Sequence, residues 1–200
     1  MPLKGVLSMN PRTKKLTVMA MLVAVSVVLV YLIRFPIFPS AAFLEYDPAD
    51  IPILIGAFAY GPLAGVILTV IASVIQGVTV SAHSGPYGII MHIIATSVLV
   101  LVSSVIYRVR HTRKGAAVGL LCGTLAMGFV MMAANHFITP HFMGAPVAVV
   151  DAMLLPVILP FNLIKAGLNS GITFVVYKTV SRYIIHGKEK EKSDKVEAEN

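Results

Sequence analysis

Long apolar stretches, separated by short polar or proline-containing segments, make up most of the chain. A helix of roughly 17–25 apolar residues is long enough to cross the hydrocarbon core of a bilayer. The run 51–80 is too long for one such helix and is interrupted at Gly61-Pro62, where proline disfavours continuation. The pattern therefore predicts an all-α membrane protein whose six helices cover about 16–33, 51–60, 63–80, 87–107, 116–137 and 158–178.

Composition agrees with the hydrophobic pattern. Of the 200 residues, 57% are hydrophobic and only 12% are charged, and the mean hydropathy is +0.85. A soluble domain of this size does not need so much apolar residue, so composition indicates a polytopic membrane protein. A basic head followed by an apolar run also begins a signal peptide, but the run 16–33 is long and has no clear cleavage site, which favours a retained first span.

The basic residues predict how the chain is oriented. Apart from Arg34 and Lys165, all lie in the N-terminal tail, in the segment 108–114, or from Lys178 onward. Cytoplasmic segments of membrane proteins are enriched in Lys and Arg, so these three regions are expected on one side, which excludes binding to nucleic acid as the reason for the net charge of +7.

Placing the N-terminal tail and 108–114 on the same side requires an even number of crossings between them. The short second helix, 51–60, is therefore predicted to cross, with local thinning of the bilayer or with its ends buried in protein. We expect a basic cytoplasmic tail over 1–15, a six-helix domain over 16–182 and a charged cytoplasmic tail over 183–200, in the plasma membrane of a prokaryote.

Two segments on the outer side are predicted to be loops. The loop 34–50 contains three prolines and the polar residues Glu45, Tyr46, Asp47 and Asp50, and long loops at a surface often carry function. The segment 138–156 contains Pro140, Pro146, Pro156 and Asp151, and we expect it to be an irregular loop as well.

A lysine and two asparagines interrupt the last apolar stretch. Asn162, Lys165 and Asn169 are spaced i, i+3 and i+7, so they share one face of a helix. A lysine near the middle of a bilayer costs roughly 2.5–3.5 kcal/mol, so it should face the interior and have a partner there. Two interpretations are open: a lysine that extends to the nearest interface, or a polar ligand site.

Asn135 and His92 allow a similar choice. A single asparagine near the outer end of the fifth helix forms either an interhelical hydrogen bond or a ligand contact. His92 is either a satisfied interior histidine or part of a pocket. Asn135, Asn162 and Lys165 should lie at similar depth beneath the acidic loop, which suits a small, flat, partly polar molecule.

The chain offers no recognisable catalytic motif. It contains no G-x-x-x-x-G-K-[ST], G-x-S-x-G, HExxH or CxxC sequence. The spacing of His83, His92, His136 and His141 does not indicate a metal site, and Cys122 lies in an apolar helix as a packing residue. We expect no metal, no cofactor and no ATPase site of its own.

Three segments carry a resemblance to a known family. The loop sequence FLEYDPADIP (43–52), the sequence AYGP (59–62) and the sequence LPFNLIK (159–165) resemble the substrate-binding S components of energy-coupling factor (ECF) vitamin transporters, in particular the riboflavin-specific members. The resemblance implies a non-enzymatic subunit that binds riboflavin as the transported ligand and works with a transmembrane coupling subunit and two ATPase subunits.

The resemblance also implies residue roles. The flavin ring would be held by Asn135, Asn162 and Lys165, and Ala20 and Ala24 would dock on the coupling subunit. The first loop would contribute to the pocket through Leu44, Glu45, Tyr46 and Asp47. Other functions remain open: an S component for another vitamin or small polar metabolite, an intramembrane enzyme, or a structural membrane protein.

Overall fold

The computed structural model describes the backbone of residues 10–185 and the side chains of residues 10–177. The outer parts of the two predicted tails, 1–9 and 186–200, lie outside the described residues. Between residues 10 and 185, seven α-helices follow one another: α1 (Pro11–Leu32), α2 (Asp50–Tyr60), α3 (Pro62–Val78), α4 (Gly85–Val109), α5 (Arg113–Met143), α6 (Val147–Met153) and α7 (Leu159–Ile185).

The predicted helices are present, and the second one is short, as expected. Within the described residues, four helical segments are long and apolar enough to cross a membrane: α1, α4 with the preceding turn, α5, and α6 to α7. The apolar helices α2 and α3 are shorter, with 11 and 17 residues. Six crossings, and a cytoplasmic location for both termini, stay predictions.

Local chemistry explains where the first helices begin and end. The Asn10 side chain accepts a hydrogen bond from the backbone N–H of Arg12 at 3.0 Å, and Pro11 occupies the first helical position. The helix α1 therefore begins inside the predicted basic tail. Gly61 has a φ of +94°, a conformation that suits glycine, and it separates α2 from α3, which opens with Pro62.

The segment 138–156 differs from its prediction. The helix α5 continues through Pro140 to Met143, and Gly144 ends it with a φ of +61°. Pro146 then caps α6, and a π-helical turn over Leu154–Ile158 leads into α7. The expectation of an irregular loop is wrong: Pro140 lies inside α5, Pro146 lies at the start of α6, and Pro156 lies inside the π-helical turn.

The first loop, residues 33–49, is non-helical as predicted apart from one 3₁₀ turn. Its ends form a two-stranded antiparallel ribbon, β1 (Phe35–Pro36) and β2 (Glu45–Tyr46), with Phe35 opposite Tyr46. Apolar side chains of the loop pack on the segment that leads into α7. This contact includes Ala41 and Leu44 from the loop and Val150, Ile158 and Phe161 opposite them.

The helix α2 lies at the centre of the molecule. Every residue from Asp50 to Phe58 is buried, and the helix contacts α1, α3, α4 and α7. The surrounding helices carry the large exposed apolar side chains instead, such as Leu63, Leu121 and Leu155. A short apolar helix is therefore accommodated because protein, rather than lipid, surrounds it.

Candidate functional site

A cavity of about 170 Å³ lies between the first loop and helices α3, α4, α5 and α7. Most of its wall is apolar and includes Met127, Met131 and Phe161. Six of the residues expected from the sequence line this cavity: Leu44, Glu45, Asp47, Asn135, Asn162 and Lys165. The fold thus brings the polar face of α7, the asparagine of α5 and the acidic loop to one place.

Three expected site residues lie elsewhere. Tyr46 is buried behind the cavity wall, where its ring packs against Phe35 with a centroid distance of 5.3 Å. Its hydroxyl donates a hydrogen bond to Oδ1 of Asn169 at 3.1 Å. Ala20 and Ala24 lie on α1, and both are exposed. They do not line the cavity, which agrees with a separate role for them.

Lys165 faces the interior, and its ammonium has a carboxylate partner there. Nζ of Lys165 donates to Oδ2 of Asp47 at 2.6 Å, and the two residues are only 7% and 6% exposed. A buried cation without such a partner would be strongly destabilising. Burial by itself raises the pKa of Asp47, but the neighbouring Lys165 ammonium holds the pKa below its ordinary value of 3.8.

Asn169 belongs to the same polar face of α7, but its side chain forms hydrogen bonds with the first loop and α2. Its Nδ2 donates to the backbone oxygen of Asp47 at 3.0 Å and to Oδ2 of Asp50 at 2.9 Å. Its Oδ1 accepts the bond from Tyr46. Because both ends of this amide are bound by the loop and α2, Asn169 fastens the loop onto α7.

The two asparagines at the cavity are oriented by their own helices. Nδ2 of Asn135 donates to the Met131 carbonyl at 2.7 Å, and its Oδ1 accepts from Thr139 at 2.8 Å. Nδ2 of Asn162 donates to the carbonyl of Ile158, at the end of the π turn, at 2.8 Å. Each amide has a second N–H, so each can still donate to a bound molecule.

Sequence reasoning missed Gln76 and left His92 undecided. Both line the cavity, and Gln76 Oε1 and His92 Nε2 are buried with no hydrogen-bond partner among the described residues. Nε2 of His92 lies 3.9 Å from Oδ1 of Asp50. The Ser73 hydroxyl donates to the Thr69 carbonyl at 2.6 Å, so Nδ1 of His92, 2.7 Å from Ser73 Oγ, must be the donor in that contact. The sequence did contain a signal for Gln76, because this residue is a glutamine within an apolar predicted helix.

Arg34, the other isolated cation, lies at the mouth of the cavity. Its Nη1 donates to the Val80 carbonyl at 2.6 Å and to Ser81 Oγ at 3.1 Å. Its Nε lies 3.3 Å from Glu45 Oε2, and Nε2 of His83 lies 3.6 Å from the same oxygen. Arg34 thereby ties the first loop to the α3–α4 connection, opposite the contact with α7.

The site offers hydrogen bonds within apolar walls rather than reactive groups. The ammonium of Lys165 and the amides of Asn135 and Asn162 can bind the polar edge of a molecule whose body packs on methionine and phenylalanine. Among the side chains of residues 10–177, no three His, Cys, Asp or Glu come together in a way that could hold a metal ion.

Comparison with known proteins identifies the family. The model of "ECF transporter, substrate-specific component" matches residues 14–177. The riboflavin transporter FmnP of Bacillus subtilis (strain 168) is 35% identical over 162 residues, which cover 77% of this chain and 85% of FmnP. The riboflavin transporter RibU of Staphylococcus aureus (strain TCH60) is 26% identical over 179 residues, or 86% of this chain and 93% of RibU.

A solved structure of the S component of a bacterial ECF transporter has the same fold. The two superpose with a TM-score of 0.76 at 26% sequence identity, over 87% of this chain and 99% of that one. The family resemblance expected from the sequence is thereby confirmed. The chain belongs to the substrate-specific components of ECF transporters, which are multi-pass proteins of the cell membrane.

Proposed function

We propose that this chain binds riboflavin and supports its uptake as the S component of an ECF transporter. The similarity to FmnP and RibU, both riboflavin transporters, supports this substrate. The observation that carries the proposal is the convergence of Lys165, Asn162 and Asn135 on one largely apolar cavity. Riboflavin is the transported ligand here, not a cofactor.

The chemistry of the flavin ring matches these side chains. Its pyrimidine edge alternates carbonyl acceptors with an N–H donor, and its other edge is apolar. A lysine offers donors only, whereas an asparagine amide offers both a donor and an acceptor. Because an unmatched polar group in an apolar site costs about 2–7 kcal/mol, such complementary partners are needed for the ring to enter. Phe161 and Met131 would pack on the ring faces.

The first loop would close over the bound vitamin. Leu44 and Glu45 line the cavity and are the loop residues that we assign to substrate contact. Tyr46 would act from behind the wall, through its bond to Asn169. The loop is held by Arg34 at one margin and by α7 at the other, so its position determines whether the site is closed.

The energising steps would belong to partner proteins. A transmembrane coupling subunit and two ATPase subunits would supply the conformational work, in line with the lack of a G-x-x-x-x-G-K-[ST] sequence in this chain. The exposed Ala20 and Ala24 leave room for close approach of another helix, which suits docking on the coupling subunit. Both termini would lie in the cytoplasm.

Purification of the full chain from membranes tests the substrate. We expect the preparation to carry flavin absorption bands, and added riboflavin to lose its fluorescence as it enters the cavity. Absence of both signals would reject riboflavin. A co-purified vitamin or metabolite of another class would then identify an S component with a different substrate.

A further inference from the structure

We infer that Asp47 is a positioning residue, which holds the Lys165 ammonium in place for the substrate without contacting the substrate itself. The inference rests on the proposed function, since it concerns how the riboflavin contact is arranged. The resemblance assigned Asp47 to the pocket together with its loop neighbours. Leu44, Glu45 and Asp47 all line the cavity, but only the Asp47 side chain among these three is bound to α7, through Lys165.

The chain itself occupies the polar atoms of Asp47. Oδ2 binds Lys165 at 2.6 Å, Oδ1 accepts the backbone N–H of Ala49 at 3.1 Å, and the backbone oxygen accepts from Asn169 at 3.0 Å. An ionised carboxylate can only accept hydrogen bonds, so beside a flavin edge it would repel the two carbonyl oxygens that flank the single N–H donor. Because its own oxygens are already bound to Lys165 and Ala49, Asp47 is poorly suited to direct contact with that edge.

Lys165 has the complementary property. An ammonium has three N–H donors, and the structure gives it one salt-bridge partner, Asp47, among the described residues. The remaining donors can point into the cavity, which Lys165 lines. Lysine carries a flexible four-carbon stem, so a fixed carboxylate is what confines its charged end to one position.

The backbone of Asp47 is held by a buried network, and its carboxylate also accepts the N–H of Ala49. Tyr46 and Asp47 are bound to Asn169, and Asn169 is bound to Asp50, whose Oδ1 accepts from Thr96 at 2.6 Å. Asp50, Thr96 and Asn169 are 0% exposed. The network joins the first loop to α2, α4 and α7, and fully satisfied buried networks of this kind are rigid.

A consequence is that loop position and substrate contact depend on each other. The ion pair joins residues 118 positions apart, one in the loop and one in α7. When the loop moves away, Lys165 loses both its neutralising partner and its fixed direction. The substrate contact on α7 is then complete only while the loop is in place.

A double-mutant cycle tests this role in the purified full chain. Riboflavin affinity, from fluorescence quenching, and the melting temperature of the empty protein are measured for the unaltered protein, Asp47→Asn, Lys165→Met and the double variant. We expect Asp47→Asn to weaken affinity at least tenfold alone, but to have less than a twofold effect when Lys165 is already Met. Asp47→Glu, which keeps the charge, should recover part of the loss.

Glu45→Gln is the matched control. Glu45 is the neighbouring loop carboxylate, it lines the cavity, and its ion-pair partners are Arg34 and His83 rather than Lys165. Because we assign Glu45 to direct contact, its effect on affinity should persist in the Lys165→Met background.

Several outcomes would overturn the inference. If Asp47→Asn weakened riboflavin affinity by the same factor in the unaltered protein and in Lys165→Met, Asp47 would act independently of Lys165, contrary to the inference. A purely structural role would lower the melting temperature and leave the affinity of the folded protein unchanged. Should Asp47→Asn alone fail to fold because it leaves the Lys165 ammonium unpaired, the riboflavin affinities of Lys165→Met and of the double variant decide: equal affinities support the inference and unequal affinities overturn it. The double variant carries neither charge of the pair, so it avoids that defect. Failure of the unaltered protein to bind riboflavin would instead overturn the proposed function, and this inference with it.

Discussion

At the scale of single residues, one buried cation determines most of the site. Lys165 can lie in the interior because Asp47 neutralises it at 2.6 Å. Removing one partner of such a pair typically costs about 3–5 kcal/mol, since the other charge is left buried and unpaired. We therefore expect the pair to affect both stability and riboflavin binding, and substitutions here must be tested for both.

The first prediction concerns the proposed ring contacts. Lys165→Ala and Asn162→Ala should each weaken riboflavin affinity at least tenfold, or about 1.4 kcal/mol, because each removes a hydrogen bond made in an apolar site. Ile164→Ala, at a 40% exposed position of the same helix, is the control and should leave affinity unchanged. Titration of riboflavin fluorescence measures all three. Unchanged affinity in both site variants would reject the assignment.

The second prediction concerns acid. The pKa of Asp47 lies below 3.8, so its charged form stabilises the folded state fully above that value, and this contribution is lost as the pH falls through the lowered pKa. The difference in melting temperature between the unaltered protein and Asp47→Asn should therefore be constant from about pH 5 to 7 and shrink below pH 3.8. A difference that stays the same at all pH values would contradict the charged pair.

The sequence was informative about some of these residues and silent about others. The spacing of Asn162, Lys165 and Asn169 in an apolar run predicts one polar face, and the structure has it. That Asp47 would be the partner of Lys165, and Asn169 a loop fastener, follows only from how the loop packs on α7. Such long-range pairings leave no local pattern in the chain.

At the scale of elements, glycines allow α4 and α5 to approach closely. A Cβ atom added at Gly123 would lie 2.8 Å from the Leu99 carbonyl and closer still to Ser103 Oγ, and one added at Gly119 would lie 2.6 Å from the Ser103 carbonyl. Close backbone approach through small residues is a common way for membrane helices to pack. The α4–α5 contact forms one wall of the cavity.

The third prediction tests this contact. Gly123→Ala should destabilise the protein by roughly 1–3 kcal/mol, because the added methyl group collides with α4. Gly171→Ala is the matched control: nothing lies within 4 Å of a Cβ atom added there, so the better helix former should leave the melting temperature equal or higher. Thermal unfolding of both variants gives the comparison. Equal stability of the two would show that α4 can move aside at no cost.

The hydrophobic pattern predicted which helices are present better than it predicted where each helix begins and ends. The apolar runs predicted the helices correctly because a helix that crosses a membrane needs an apolar surface long enough to span it. The segment 138–156 was misjudged because proline was taken as a break, whereas Pro146 caps a helix and Pro140 lies within α5. The helix α5 continues to Met143 and buries Thr139 and Pro140, and burial of this kind is not visible in a single sequence.

At the scale of the whole molecule, the proposed binding site and the proposed docking site occupy different surfaces. The cavity is lined by the first loop, α3, α4, α5 and α7, whereas Ala20 and Ala24 lie exposed on α1. The central helix α2 contacts α1 as well as α4 and α7, and so lies between the two surfaces. The separation predicts that docking and binding can be impaired independently.

The fourth prediction uses that separation. Replacing Ala20 and Ala24 with Leu should leave riboflavin affinity unchanged but abolish uptake by cells that contain the partner subunits, because bulk prevents close helix contact. Val25→Phe, which adds bulk on another exposed face of α1, is the control and should retain uptake. If uptake survives when Ala20 and Ala24 are both replaced with Leu, the surface that docks on the coupling subunit lies elsewhere.

The Arg34 contact at the cavity mouth has a consequence for how a bound molecule escapes. The Arg34 and Glu45 side chains are 25% and 24% exposed, so dissolved ions can weaken their attraction, whereas the Lys165–Asp47 pair, at 9% each, is shielded from them. The first loop should therefore separate first on the side where Arg34 and Glu45 hold it, because that ion pair is the more exposed of the two. Raising sodium chloride from about 0.05 to 0.5 M should speed release of riboflavin, and a release rate indifferent to salt would mean that the exit lies elsewhere.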